Sequence, residues 1–598
     1  MSSGFRTDWL REPASTRADE RMALPRWMLF IWRIRVGLEA YDCATPQGRV
    51  DLYIWWVLYG RQDYPNMDWP LTQQDREYLY GLRQGAVPVA LERYIANRPD
   101  LQRIAHTNPG GTERLLLWWL LHGQSEPFVE ATAADVLQGV EERFPESGVA
   151  GLLWGLRDDL REAYDLRLES GREGLRRWWE QHAPREYPQL TESLLRIRER
   201  SARAARPTSH PEGAQDPAMH DVEGVNIVGF ARGVLGIGED ARMAQRTVQH
   251  AGFPTHAVEP RLLWMPSSGE EQPRQDGPRI EKYGVSIFCL PPVEMIRLVL
   301  EGSAELFESA TYKVGAWPWE LPRWPAEFAG VTRLVDEIWA QSSFVADTFG
   351  RLDGASRMSI HRVPLAVELA PPTARVRARH ALPERDYIFY LMFDGNSWLS
   401  RKNPAAGVRA FQKAFPRQVR GVALVVKAMN IKPEHPLWRE VLEAAAADSR
   451  IRIITDTLPK QDLINLMASC DAYISLHRSE GFGRVIAEAM LLGQPVVVTD
   501  YSGNVDFCDS TTAYLVGGEI VPLRAGDYVL SQGQHWCEPD PEQAAARLKE
   551  VVDDVAGRAR IAGAGQRRIR EEFSPEAVSR IYRERLAGIF SKLSVGSY

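Results

Sequence analysis

From Gly224 onward, short apolar runs alternate with stretches of helical periodicity, and few architectures accommodate that pattern. The runs are Val225–Phe230, Val285–Leu290 and Tyr312–Ala316, with further short strands at Glu337–Gln341 and Ser359–Val363, followed by Tyr387–Phe393, Gly421–Lys427, Ile451–Ile454, Ala472–Leu476 and Pro495–Thr499. Runs that are apolar on both faces suit parallel strands covered by helices. The two groups predict two doubly wound Rossmann-like domains facing a cleft, over residues 224–380 and 381–598. An amphipathic last helix, Pro575–Leu593, is expected to cross back toward the first. Ligands bind such sheets beyond the carboxyl ends of the strands.

The chain before this differs in kind. A polar stretch rich in Pro, Ala, Ser and His, residues 201–223, reads as a linker. Residues 1–200 read as all-α and hold three related units marked by Trp55-Trp56, Trp118-Trp119 and Trp178-Trp179. Glycines Gly48, Gly111 and Gly171 precede the pairs, and Asp63-Tyr64-Pro65, Glu126-Pro127 and Glu186-Tyr187-Pro188 follow them. A further helix is expected before each unit, over Met28–Ala40, Val87–Ile104 and Leu152–Leu168. Tryptophans at helical spacing read first as core. Adjacent helical residues point about 100° apart, so one member of each pair is left to line a groove.

Composition excludes several classes. A net charge of −7 and a pI of about 6.0 give no electrostatic footprint for nucleic acid. The five cysteines show neither metal nor disulfide spacing, which reads as reduced thiols and a cytoplasmic protein. No apolar stretch is long enough to span a bilayer, leaving peripheral contact at the inner face of the membrane open.

The segment richest in chemistry is Glu480-Gly-Phe-Gly-Arg-Val-Ile-Ala-Glu488. A strand ending at Leu476 leads into a glycine-containing loop, and a helix begins near Gly483 and stops at Gly493. Unpaired amides at a helix start suit a diphosphate, here those of Gly481, Phe482, Gly483 and Arg484. Glu488 lies just over a turn into the helix, where a carboxylate can take a ribose diol, and Glu480 lies on the loop. Read on its own, the same segment is a plain turn with a surface carboxylate. Before the helix opened by Asn403-Pro404, Arg401 and Lys402 form a basic pair suited to phosphate.

The segment resembles the E-x7-E motif of retaining glycosyltransferases of family 4, which have the GT-B fold. Gln494-Pro-Val-Val-Val-Thr-Asp-Tyr501-Ser-Gly503-Asn504 and Trp536-Cys-Glu538-Pro539-Asp540 are similar to that family as well. The resemblance runs from about Gly224 to the C-terminus. It implies a nucleotide-sugar donor as substrate, no metal and no cofactor. Arg401, Lys402 and the loop amides would stabilise the leaving diphosphate, Glu480 would orient the donor sugar, and Glu488 would hold the ribose. Relatives often carry an arginine where this chain has Asn396, and Lys427 at a strand end is read as supplying the missing charge. The base is expected near Leu458. On the acceptor side, Gly315-Ala-Trp317-Pro-Trp319-Glu320 resembles polysaccharide-building relatives. Trp319 is expected to stack on a sugar and Glu320 to bind its hydroxyl, with Gly236 and Gly238 in a flanking loop.

The function so implied is retaining transfer of a hexose from a nucleoside-diphosphate sugar, with GDP-mannose, a rhamnose donor or a UDP-sugar as candidates. The acceptor would be a hydroxyl of a glycan or lipid-linked acceptor in bacterial surface polysaccharide synthesis. The N-terminal repeats are left for membrane or protein contact. Two other readings stand: a glycoside hydrolase using Glu480 and Glu488, and a catalytically silent carrier or assembly protein acting through the Trp-Trp repeats.

Overall fold

In a computed structural model of the chain, the apolar runs after residue 220 form two six-stranded sheets, all of whose pairings are parallel. The structure describes residues 6–594 apart from 16–19, 83–86, 97, 108–109, 123–125, 205–220, 232–235, 261–282, 309–310 and 353–357. Two compact units result, a helical one built on residues 8–216 and an α/β one built on 217–299 and 303–598.

In the α/β unit the first sheet comprises β1 (Asp221–Val228), β2 (Thr255–Val258), β3 (Tyr283–Phe288), β4 (Tyr312–Trp317), β5 (Glu337–Ala340) and β6 (Ser359–Arg362). Their order is β2-β1-β3-β4-β5-β6, so the winding reverses between β1 and β3. The second sheet comprises β7 (Tyr387–Asp394), β8 (Val422–Met429), β9 (Ile451–Ile454), β10 (Ala472–Ser475), β11 (Val496–Thr499) and β12 (Tyr514–Val516). Its order is β12-β11-β10-β7-β8-β9, and it reverses between β10 and β7. Every residue of β4 is buried, as expected of a strand covered on both faces. These two doubly wound domains are the GT-B architecture.

The helix Pro575–Ser594 packs Val578, Tyr582, Leu586, Ile589 and Phe590 into the core of the first sheet, among Val225, Ile227, Val285 and Val314. Each such side chain contributes about 1.5–3 kcal/mol when fully buried. Arg585 of that helix pairs with the fully buried Glu337 of β5 at 2.9 Å, so the C-terminal helix is stapled to the first domain by charge as well. A pair of strands that the alternation did not reveal, β13 (Gly518–Pro522) and β14 (His535–Pro539), forms an antiparallel hairpin beside the second sheet.

In the helical unit, three segments share local features. Helices Arg26–Ile34, Val89–Ile95 and Ala150–Leu156 each stop at or near an arginine with non-helical backbone, Arg35, Arg98 or Arg157. The expectation of one continuous helix before each Trp-Trp pair is corrected there. That arginine reaches a carboxylate far along the chain: Asp63 28 residues on, Glu126 28 residues on, and Glu186 29 residues on. The separations of N and O are 2.6, 2.8 and 2.6 Å. Gly48, Gly111 and Gly171 each open a Trp-Trp helix, and a Cβ there would clash with the carbonyl oxygen of Asp42, Ala105 or Asp165 respectively. In the first two pairs the second indole is core, Trp56 at 1% and Trp119 at 0% exposure, and the first is half-buried. The third departs from this, since Trp178 and Trp179 are both half-buried around Leu160 and Leu175.

The expected linker is shorter than read, because a helix runs to Ala204 and β1 begins at Asp221; residues 205–220 lie outside the described residues. Among the described residues no helix is long and apolar enough to cross a membrane.

Candidate functional site

The loop between β10 and the helix Arg484–Leu491 is built before any ligand arrives. His477 is fully buried; its Nδ1 lies 2.9 Å from Ser475 Oγ and its Nε2 3.0 Å from Asn504 Oδ1. Burial pulls its pKa below the usual imidazole value, which keeps the ring neutral. Asn504 donates to Thr499 O and Thr499 Oγ1 donates to His477 O, closing the ring of contacts. Glu480 N donates to Ser502 Oγ and Gly503 N to Glu480 O, both at 2.8 Å. Gly483 takes φ +96° at the helix start, a conformation that favours glycine.

Glu480 projects from this loop into a cluster of charge. Its Oε2 lies 3.0 Å from Arg401 Nη1 and its Oε1 2.5 Å from Lys402 Nζ. Burial alone would raise the Glu480 pKa, but the Arg401 and Lys402 cations outweigh it and hold the carboxylate well below its usual range. Arg401 is 4% exposed; it also donates to Ser479 O at 2.9 Å and lies 6.0 Å over the Tyr528 ring. Arg401 is thus turned inward as the counter-ion of Glu480, correcting the expectation of two equivalent phosphate cations. Lys402 is less enclosed, with 21% of its side chain exposed.

Glu488 has a different environment. Its carboxylate is half-buried on the helix, and no hydrogen bond or ion pair reaches it among the described residues. Burial raises its pKa to about 7, against the opposing pull of Arg484 and Lys460. The two carboxylates of the motif are therefore held in different states: Glu480 ionised and locked, Glu488 near neutrality and open to a partner.

The first domain closes over this loop. Ser342 Oγ donates to Gly481 O at 2.6 Å, and a Cβ at Gly481 would meet Trp319 O at 2.9 Å. The close approach that requires Gly481 is therefore that of the Trp319 backbone. Arg484 pairs with Asp240, and Lys460 with Glu239, both carboxylates in the first turns of the helix Gly236–His250. Glu320 extends the charge cluster: its Oε2 accepts from Tyr528 OH, and its Oε1 is 4.0 Å from Arg401 Nη2. Tyr528 comes from residues 523–534, which link β13 to β14.

Several expected residues occupy other roles. Trp319 is 1% exposed, its indole donates to Arg323 O at 3.1 Å, and its ring packs edge-on against Trp324. A ring so enclosed does not stack on a sugar. Phe482 is likewise core, against Phe507 at 5.1 Å and Phe573 at 5.8 Å, leaving only its backbone for a ligand. Lys427 lies apart from the Glu480 cluster; its amine donates to Ala428 O, and burial lowers its pKa while Asp456 and Asp394 act against that. Asn396 is exposed on the turn after β7, and Leu458 is half-buried against the second core. Gly236 and Gly238 lie in the first turn of the helix Gly236–His250, just before Asp240, and not in a loop.

Tyr528, Asp240 and Trp398 had no signal in the sequence read as motifs. Trp398 has φ +63° and ψ 103°, a strained backbone that costs about 1–3 kcal/mol. Its carbonyl accepts from Arg401 N at 3.0 Å and Lys402 N at 3.1 Å, so this turn aims both cations. A crevice lined by Leu391, Phe393, Lys402, Asn403, Ile474 and Leu476 sits where the second sheet reverses, which places the site at a topological switch point.

Part of the chain is similar to known proteins. Residues 392–523 match the model of the glycosyl transferases group 1 family. A human protein, alpha-1,3/1,6-mannosyltransferase ALG2, is 29% identical over 122 residues, covering 20% of this chain. The chain spans about a quarter of that relative, 24% of its length. Among solved structures, the sucrose-phosphate synthase of Thermosynechococcus elongatus is 15% identical with a TM-score of 0.45, covering 61% of this chain and 100% of that one. Anabaena HepE, solved with UDP and glucose, is 13% identical with a TM-score of 0.43 over the same shares.

Proposed function

We propose that the chain is a retaining glycosyltransferase that takes a hexosyl group from a nucleoside-diphosphate sugar and delivers it to a hydroxyl of a glycan or lipid-linked acceptor. The observation that carries the reading is the division of labour between the two glutamates of one loop at the switch point of the second sheet. Glu488, half-buried and without a partner among the described residues, suits a neutral diol such as ribose. Glu480, ionised and fixed by two cations, suits the hydroxyls of the transferred sugar. The match to the group 1 family model over the same segment supports this assignment.

In the reaction, the bond from C1 of the donor sugar to the diphosphate oxygen breaks, and its electron pair stays on that oxygen. Lys402 and the amides at the start of the helix Arg484–Leu491 stabilise the charge that grows there. The acceptor oxygen forms the new bond to C1 on the same face, and its proton passes to the leaving phosphate oxygen. Glu480, already neutralised by Arg401 and Lys402, orients the sugar instead of attacking it. That same pairing disfavours the hydrolase reading, which needs a free nucleophilic carboxylate. The mannosyltransferase name of the human relative puts GDP-mannose first among donors to try, and synthesis of a bacterial surface polysaccharide is the role we assign.

The test incubates the full chain with GDP-mannose and a panel of UDP- and GDP-hexoses, with simple methyl glycosides as acceptors. Nucleotide release coupled to a new glycoside of the donor's own anomeric configuration is expected. Glycan cleavage without any donor, or inverted product, contradicts the reading.

A further inference from the structure

Four aromatic rings run in a chain through the cleft. Trp398 lies 5.6 Å from Tyr528, Tyr528 6.0 Å from Trp319, and Trp319 4.8 Å from Trp324. Three of them are enclosed, at 8%, 1% and 3% exposure, whereas Trp398 is 40% exposed. An outward-facing indole backed by buried rings has little freedom to move and an apolar face to offer. The strained backbone that holds it, at φ +63°, also fixes Arg401 and Lys402. Strain retained at a cleft beside ionised groups is characteristic of a ligand-contacting turn.

Polar groups that suit sugar hydroxyls lie next to this ring. Tyr528, which touches Trp398, hydrogen-bonds Glu320, and Glu320 in turn faces Arg401. Glu320 is the carboxylate that the first domain adds to the cluster, whereas Glu480 and Glu488 belong to the second. Trp398 and Tyr528 belong to the second domain, and through Tyr528 the exposed ring is linked to Glu320 of the first.

We propose that Trp398 is the stacking platform for the acceptor saccharide. Its exposed face takes the C–H face of a pyranose ring, and Glu320 accepts a hydrogen bond from one of that ring's hydroxyls. The electron-rich face of an indole attracts polarised C–H groups, and a pyranose presents them as a flat patch. The role first assigned to Trp319 passes to the outer ring of the chain that Trp319 supports. The proposal rests on the transferase reading and adds to it the site and chemical class of the acceptor.

The experiment uses the full chain and two variants, Trp398→Asn and Trp398→Tyr. Asparagine tolerates positive φ better than other non-glycine residues, so it keeps the turn while removing the ring. With the donor that supports nucleotide release, rates are measured against a methyl pyranoside and against glycerol, which has hydroxyls but no ring. Nucleoside-diphosphate affinity is read by calorimetry. Trp398→Asn is expected to raise KM for the pyranoside by about tenfold or more, with a smaller effect on kcat and on nucleotide affinity, and Trp398→Tyr to recover most of the loss. An unchanged pyranoside KM, an equal loss with glycerol, or a loss of nucleotide affinity that marks the ring as a base platform would each overturn it. Failure of the unmodified chain to release nucleotide from any donor would overturn the transferase reading, and this proposal with it.

Discussion

Glu480 and Arg401 are a buried pair, and removing one partner leaves the other uncompensated. Glu480→Ala is therefore expected to abolish transfer and also to destabilise the protein by about 3–5 kcal/mol, visible as a lower melting temperature. Glu480→Gln, which keeps the side chain's volume, should lose activity with a smaller stability loss; normal turnover in that variant would remove Glu480 from the site. Glu488 is the opposite case. Its folded pKa of about 7 lies above the ordinary 4.5, so the folded state binds its proton more tightly. The resulting stability is fully present below pH 4.5 and is lost as pH rises through 7. Glu488→Gln is expected to melt higher than the parent above pH 7, by up to about 3 kcal/mol, and to lose that advantage below pH 4.5. A pH-independent difference in chemical denaturation would contradict the burial argument. The same variant should bind nucleotide sugars less well, trading stability against function.

At the scale of elements, alternation of apolar runs and helical periods made most strands legible, because strands covered on both faces read as continuous apolar stretches. The loop from Glu480 to the helix at Arg484 was legible for a related reason: its glycines and carboxylates are adjacent in the chain. What was not legible depends on contacts distant in sequence. Tyr528 enters the cleft from the β13–β14 connection, Arg401 turns inward to Ser479 O, 78 residues away in the chain, and to the adjacent Glu480, and Trp319 is closed off by Trp324 and Tyr528. The three Trp-Trp units were visible. The breaks at Arg35 and Arg157 were not legible, since nothing local forbids a helix there, whereas Pro99 disfavours a helical Arg98 and is a local signal of that break. The glycines Gly48, Gly111 and Gly171 supply a test of the three segments. Gly→Ala usually stabilises a helix by up to about 1 kcal/mol. Here the added methyl meets a backbone carbonyl, so each substitution is expected to destabilise its own unit and raise hydrogen exchange there. Exchange rates left unchanged at all three would contradict the packing.

For the whole α/β unit, closure of the two Rossmann-like domains is held by charge as well as by backbone contact. Asp240 and Glu239, consecutive on one helix, pair with Arg484 and Lys460 of the second domain. Asp240→Asn should weaken the hold on Arg484 and raise the donor KM severalfold with little change in the fold. A donor KM equal to the parent's would show that the pair does not govern closure.

The most direct test of the central claim, that the Glu480–Glu488 loop receives a nucleotide sugar, is the melting temperature of the full chain and of Glu488→Gln across a panel of nucleoside diphosphates and their sugars. A ligand at one hundred times its Kd stabilises the folded state by about 2.7 kcal/mol. At least one such donor is expected to raise the melting temperature of the parent by a few degrees, and the rise to shrink or vanish in Glu488→Gln. No shift with any nucleotide at millimolar concentration, or an equal shift in the variant, would contradict it.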